Sequence, residues 1–167
     1  MNEFITISPY ELEGNPFRMI DKQWMLVTAG NEDKANTMTA SWGGLGVLWH
    51  KAVSFVFIRP TRYTYDFTER EEYYSLCFFS EEYRDALKLC GTVSGRDRDK
   101  IAEAGLTLRY DAEAPYFDEA DTVLICRKLA AQDMDPAGFV DTTVDKHYNN
   151  DYHRIYTGEI TTVLRRA

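Results

Sequence analysis

Two short segments carry residue types that suit a flat, polar ligand with a charged end. In residues 36–44 (NTMTASWGG), small and hydroxylated residues surround Trp42, placing backbone amides and hydroxyls beside a flat ring. That combination fits a planar heteroaromatic with polar edges. In residues 59–67 (RPTRYTYDF), Arg59 and Arg62 flank Pro60-Thr61 where a buried strand gives way to a helix. An anion is favoured there by the unpaired N–H groups of a first helical turn and by two guanidiniums, which can grip a phosphate through paired hydrogen bonds. Each segment also has a plain structural reading, a glycine-rich barrel corner for the first and a Thr61 cap with surface arginines for the second. Their joint presence on adjacent strands favours the ligand.

Other constellations are weaker. His153, just before the last strand, is either a hydrogen-bonded structural residue or a contact to a ring ligand, and His147 nearby competes for that role. The histidines and Cys77, Cys90 and Cys126 show no metal-ligand spacing, so no metal site is expected. The cysteines form no CxxC pair and suit a reducing cytoplasm, each as a small buried hydrophobe. No GxGxxG follows a strand and opens a helix, so a Rossmann dinucleotide domain is excluded.

The elements that must position these residues are mostly strands. Residues 23–30 read as a strand and NEDKAN after them as a hairpin loop. Residues 37–48 resume strand character, interrupted by Gly43, Gly44 and Gly46, the mark of a bulge, a bend or a close backbone approach. Residues 52–58 (AVSFVFI) are a continuous apolar run expected of a strand buried on both faces. Further strands are expected in YSLCFF, in residues 122–134 and in residues 156–164. Helices are predicted in TRYTYDFTERE with Thr61 as N-cap, in SEEYRDALKLCG between Ser80 and a stop at Gly91, and in RDRDKIAEAG, closed by Gly105. Six or more strands with a few short helices argue for a closed or nearly closed antiparallel barrel.

At 167 residues with no linker or repeat, the chain is one domain, 1–167. Its 19 Lys+Arg against 27 Asp+Glu, net -8, argue against nucleic acid, whose affinity comes largely from cation–phosphate contacts. The apolar stretches are strand-sized, so no membrane span is expected, and the first residues do not resemble a signal peptide. The 11 Tyr, 9 Phe and 3 Trp exceed what one motif can explain; Tyr73-Tyr74 and Tyr148, outside the obvious strands, suggest a subunit interface.

NTMTASWGGLGVLWHKAVSFVFIRPTRYTYDF, followed in order by CGTVSGRD, AEAGLT and DYHRIYTGEI, closely resembles the flavin reductase-like family of FMN-binding split barrels, flavoredoxin-like proteins included. The resemblance runs from about Trp24 to Ile160. It implies a six-stranded antiparallel Greek-key split β-barrel with a few short peripheral helices, a homodimer, and FMN near the interface. It places Asn36, Thr39, Ala40, Ser41 and Trp42 along the flavin ring and ribityl chain, and Arg59, Thr61, Arg62 and Thr64 near the phosphate. Ser94, Gly95 and Arg96 correspond to a loop closing over the flavin, from its own or the neighbouring subunit, and His153 to a histidine on the approach to the ring, the candidate catalytic residue. Implied too is an oxidoreductase passing hydride or electrons from NAD(P)H or a protein donor through FMN, or a flavoredoxin-like carrier without nicotinamide activity. The S-W-G-G stretch is closer to the flavoredoxin-like branch, which favours FMN as a bound prosthetic group.

Overall fold

The computed structural model describes residues 3–167. Among them are the strands β1 (Phe4–Ile7), β2 (Met25–Gly30), β3 (Ala35–Ala40), β4 (Gly43–Leu48), β5 (Lys51–Ile58), β6 (Tyr73–Phe78), β7 (Leu108–Arg109), β8 (Tyr116–Phe117), β9 (Thr122–Asp133) and β10 (Arg154–Arg166). The α-helices are α1 (Pro16–Arg18), α2 (Tyr63–Arg70), α3 (Arg84–Thr92) and α4 (Lys100–Glu103). Eight strands make one antiparallel sheet in the order β3-β2-β6-β9-β10-β5-β4, with β1 added beside β10, and β7 and β8 form a separate ribbon.

β3 and β4 stand at opposite ends of that order, yet only Ser41 and Trp42 separate them in the chain. Two intervening residues reach at most about 11 Å, so the edges must meet. The sheet therefore curls into a barrel whose seam is closed by the chain rather than by a hydrogen-bond ladder. In the sheet order β10 and β9 lie between β5 and β6, so those two strands are joined by a Greek-key crossing, whose helix α2 packs on β2 and β3. The class is the expected one, a mainly β antiparallel split barrel with short peripheral helices. The main sheet has eight strands rather than six, because the strand expected over 37–48 breaks at Ser41-Trp42 and because β1 pairs Phe4 to Ile7 with Arg166 to Val163.

Period-2 alternation builds two cores. Met25, Val27, Leu76, Leu124 and Cys126 point into the barrel. Leu26, Cys77, Val123 and Ile125 point outward and are covered by α3 and the ribbon through Leu87, Cys90, Tyr116 and Phe117. Strands β2 and β6 and the Val123–Cys126 part of β9 are thus buried on both faces. On β5, Val56 and Ile58 are buried, whereas Phe55 and Phe57 are only half-covered on the outer face.

Three local expectations need correction. Thr61 does not cap α2: the Arg62 amide donates to the Arg59 carbonyl (3.0 Å), so Pro60-Thr61 form the centre of a turn and Arg62 takes the cap position without a capping side chain. Gly91 does not stop α3, which continues to Thr92. Tyr74 is not an interface residue; it is fully buried in the barrel, its hydroxyl 2.7 Å from Ser54 Oγ. Gly105, at φ +68°, does close α4 in the left-handed conformation glycine favours.

Candidate functional site

The seam is where the candidate residues gather. Every residue selected from the sequence lines one of four neighbouring cavities, which follow one another through shared walls. The first, about 570 Å³, holds Ser41, Trp42, Phe57 and His153 against Phe17 and Ile20 of the N-terminal segment. These same four also line the second, about 150 Å³, with Thr39, Ala40, Arg59 and Arg62. Arg62 is shared in turn with the third, about 210 Å³, lined by Thr61, Thr64, Ser94 and Lys100. Lys100 is shared with the fourth, about 580 Å³, which contains Asn36, Gly95 and Arg96.

At the ring end, the Trp42 indole is 44% exposed. It stands edge-on to the imidazoles of His147 (centroids 5.4 Å) and His153 (5.6 Å). His153 is buried, its Nδ1 2.7 Å from the Tyr148 hydroxyl. Burial draws its pKa down to about 4, helped by the positive charge of Arg59 and opposed by Asp151. The imidazole is therefore neutral near pH 7. With Nδ1 paired to the Tyr148 hydroxyl, Nε2 is the ring nitrogen left for a ligand, and a neutral imidazole there is no acid. Tyr148, expected at a subunit interface, supports the site through this contact.

At the charged end the two arginines part ways. Arg59 Nη1 donates to Asp151 Oδ2 (2.6 Å) and Nη2 to the His147 carbonyl (2.9 Å), and its guanidinium lies over the Tyr148 ring (4.9 Å). It clamps the segment before β10 that carries both histidines. The Arg62 guanidinium, by contrast, has no hydrogen-bond or ion-pair partner among the described residues. Burial and the nearby charge of Arg59 both disfavour its protonated form, yet arginine keeps its charge in proteins. A half-buried cation without a counterion is an electrostatic demand for an anion. The uncapped start of α2 points the same way.

Lys100 adds a second cation that sequence reading missed. It is 3% exposed, and Nζ donates to the carbonyls of Cys90 and Val93 (2.9 Å each). Burial lowers its pKa to about 8, with Cys90 opposing and Arg62 adding to the shift. The available signal was its place next to Asp99, the residue that caps α4. Phe17 and Ile20 also escaped, since the N-terminal segment carries no periodic pattern.

Several predicted residues act as supports. Asn36 Nδ2 donates to Thr64 Oγ1 (2.8 Å), joining β3 to α2. Thr39 Oγ1 donates to the Leu87 carbonyl, joining β3 to α3. The Ser94–Arg96 loop rests on its own chain: Arg96 donates to the Thr61 carbonyl (3.3 Å) and to Asp66 Oδ2 (2.9 Å). A Cβ at Gly95 would fall 2.0 Å from Asn36 Oδ1, so only glycine allows that approach. Cys77, Cys90 and Cys126 are buried, and burial raises all three thiol pKa values, those of Cys77 and Cys126 to about 12; they are packing residues. Among the described residues no group of three or more His, Cys, Asp and Glu side chains is placed to hold a metal, and no helix is long and apolar enough to cross a membrane.

Comparison with known proteins agrees with this geometry. Solved structures similar in fold include an FMN-binding domain of a flavin reductases-like enzyme from Shewanella baltica (15% identity, TM-score 0.72, covering 99% of this chain and 78% of that one). Flavoredoxin of Desulfovibrio vulgaris is similar at 23% identity and TM-score 0.65 (84% and 67% covered). An NADH:FAD oxidoreductase of Streptomyces globisporus, solved with NAD and FAD fragments, is similar at 16% identity and TM-score 0.63 (86% and 74% covered). No curated protein matches the sequence significantly. The model of the flavin reductase like domain matches residues 17–166, nearly the whole described chain, and the protein belongs to that family.

Proposed function

We propose that the protein is an FMN-dependent oxidoreductase that passes hydride or electrons from NAD(P)H through bound FMN to an acceptor. The observation that carries this reading is the unpartnered Arg62 guanidinium at the far end of a run of cavities that begins at Trp42 and His153. An aromatic site joined to an anion site by a narrow polar passage fits a ring with a phosphorylated tail. The chemistry supplied by bound FMN is acceptance of a hydride and its release as one or two electrons. Arg62, Lys100 and the amides opening α2 hold the phosphate, and Arg59 keeps the local potential positive. Thr39, Ala40 and Ser41 border the passage. Trp42 and Phe57 orient the ring and exclude water. Neutral His153, held by Tyr148, directs a hydrogen bond at the ring or at a nicotinamide carboxamide in the largest of these apolar-walled cavities; it transfers no proton at neutral pH.

The flavoredoxin in the comparison set and the exposed Trp42 favour a second reading, an FMN-bound electron carrier without nicotinamide activity. Anaerobic titration decides between them. Bleaching of the yellow protein by NADH or NADPH supports the reductase, whereas a spectrum reduced only by dithionite supports the carrier. A protein that binds no flavin excludes both.

A homodimer belongs to the same proposal. Phe17 (81% exposed) and Trp42 at the first cavity and Val47 (65%) and Trp49 (59%) on the β4–β5 hairpin are exposed apolar side chains, and a second copy laid there would cover them and complete the site. Three buried thiols without a disulfide favour a reducing cytoplasm.

A further inference from the structure

The two cavities at the charged end share Lys100 and are otherwise divided by the 94–96 loop. On one side lies the smaller space, about 210 Å³, with Arg62, Ser94 and Lys100. On the other lies the larger, about 580 Å³, bordered by Lys34, Asn36, Arg96 and Tyr110. At their boundary Tyr63 and Ser94 face the small side and Gly95 and Arg96 the large one. Gly95 abuts Asn36 so closely that no Cβ fits between them. Arg96 reaches across to the Thr61 carbonyl (3.3 Å) and Asp66 Oδ2 (2.9 Å) and lies over the Tyr63 ring (4.6 Å). Lys34 covers the same ring (5.3 Å). The bonds of Arg96 run from the loop to α2, so the boundary is latched on both sides.

We propose that this latch sets the cofactor's length: Arg96 and Asp66 restrict the site to a flavin ending in a phosphate monoester and exclude one extended through a pyrophosphate to a nucleoside. The inference rests on the reading of Arg62 and Lys100 as the phosphate site. A monoester ends inside the small cavity with its free oxygens toward the two cations. A diester there must send its second phosphate and nucleoside onward, and the nearest space large enough for an adenosine lies behind Arg96. Entry breaks the Arg96–Asp66 pair and lifts the guanidinium from Tyr63 before any new contact forms. Selectivity of this kind comes from a barrier raised against the longer ligand rather than from better contacts to the shorter one.

The test is equilibrium binding of FMN, FAD and riboflavin to the full-length apoprotein, to Arg96→Ala and to Asp66→Ala, with far-ultraviolet circular dichroism confirming that each is folded. The unmodified protein is expected to prefer FMN over FAD by about tenfold or more. Both variants should narrow that ratio severalfold, Asp66→Ala doing so although it removes no positive charge. An Arg96→Ala variant that fails to fold leaves Asp66→Ala to decide alone. FMN and FAD bound equally by the unmodified protein, or a ratio unchanged in Asp66→Ala, overturns the latch. If FMN is preferred over riboflavin in that case, the phosphate site survives without it. Riboflavin bound as tightly as FMN removes the phosphate site and the latch together.

Discussion

At the scale of single residues, the site is a set of titration states held away from their solution values. Lys100 keeps its proton below about pH 8 rather than 10.5. FMN affinity is therefore expected to fall as pH rises through 8, while riboflavin affinity stays flat; isothermal titration across pH 6.5–9.5 checks this, and Lys100→Met should abolish the step. Arg62→Ala should weaken FMN by about 10- to 100-fold, the value of one or two charge-assisted hydrogen bonds, with riboflavin little affected. An equal loss for both flavins would falsify the phosphate assignment. His153 has the opposite consequence for folding. Its folded pKa of about 4 lies below the ordinary 6.5, so the unfolded chain binds the extra proton between those values and stability drops as pH falls through the window. The groups facing it are Arg59, Asp151 and Tyr148. Urea melts at pH 7 and 5 should show a smaller pH dependence in His153→Gln than in the unmodified protein. The arginine motif was legible in the sequence as an anion site because the strand-to-helix change was legible; which arginine is free was not, since Asp151 lies 92 positions from Arg59 and only the folded chain brings them together.

At the scale of elements, close packing of backbone on side chain decides which positions tolerate change. β10 shifts register against β9 between Thr157 and Gly158, and there the Tyr74 hydroxyl lies under the strand, 2.3 Å from where a Cβ on Gly158 would be. Gly158→Ala should cost about 1–3 kcal/mol in urea unfolding, the usual range for overpacking, and adding Tyr74→Phe should restore part of it. A sequence reader could see the strand here but not the bulge, because YTGEI alternates acceptably without one. The same reasoning explains residues 37–48: the glycines announced an interruption, but its place at Ser41-Trp42 depends on which sheet edges have to meet. Helix limits went astray for a related reason, since the Pro60-Thr61 turn delays α2 and packing on β3 carries α3 past Gly91, Gly91 lying 3.2 Å from Thr39 through its notional Cβ. The apolar runs of β2, β6 and the start of β9 were legible because both faces are buried there.

For the whole molecule, the unanswered charge is local and the unanswered apolar surface is broad. Val47→Asp, at an exposed position in the proposed subunit face, should leave the fold intact and shift light-scattering mass from dimer to monomer; a monomeric unmodified protein sinks the dimer outright. The aromatic surplus, one feature of composition, resolves into barrel filling by Tyr74 and Tyr156, the edge-on group around Trp42 and His153, and the exposed Phe17 and Trp49. Global class was readable because six runs of strand pattern hold seven of the eight main strands; β1 was not, since a four-residue strand after a short polar start has too little periodicity to register. Finally, the seam between β3 and β4 joins by two residues what every other neighbouring pair in the barrel joins by a ladder. The outward amides along those edges should be the first in the sheet to exchange their protons for deuterium. A ligand that spans the seam from Trp42 to Arg62 would slow that exchange on both strands at once, so cofactor occupancy could be read from backbone protection without observing the cofactor at all.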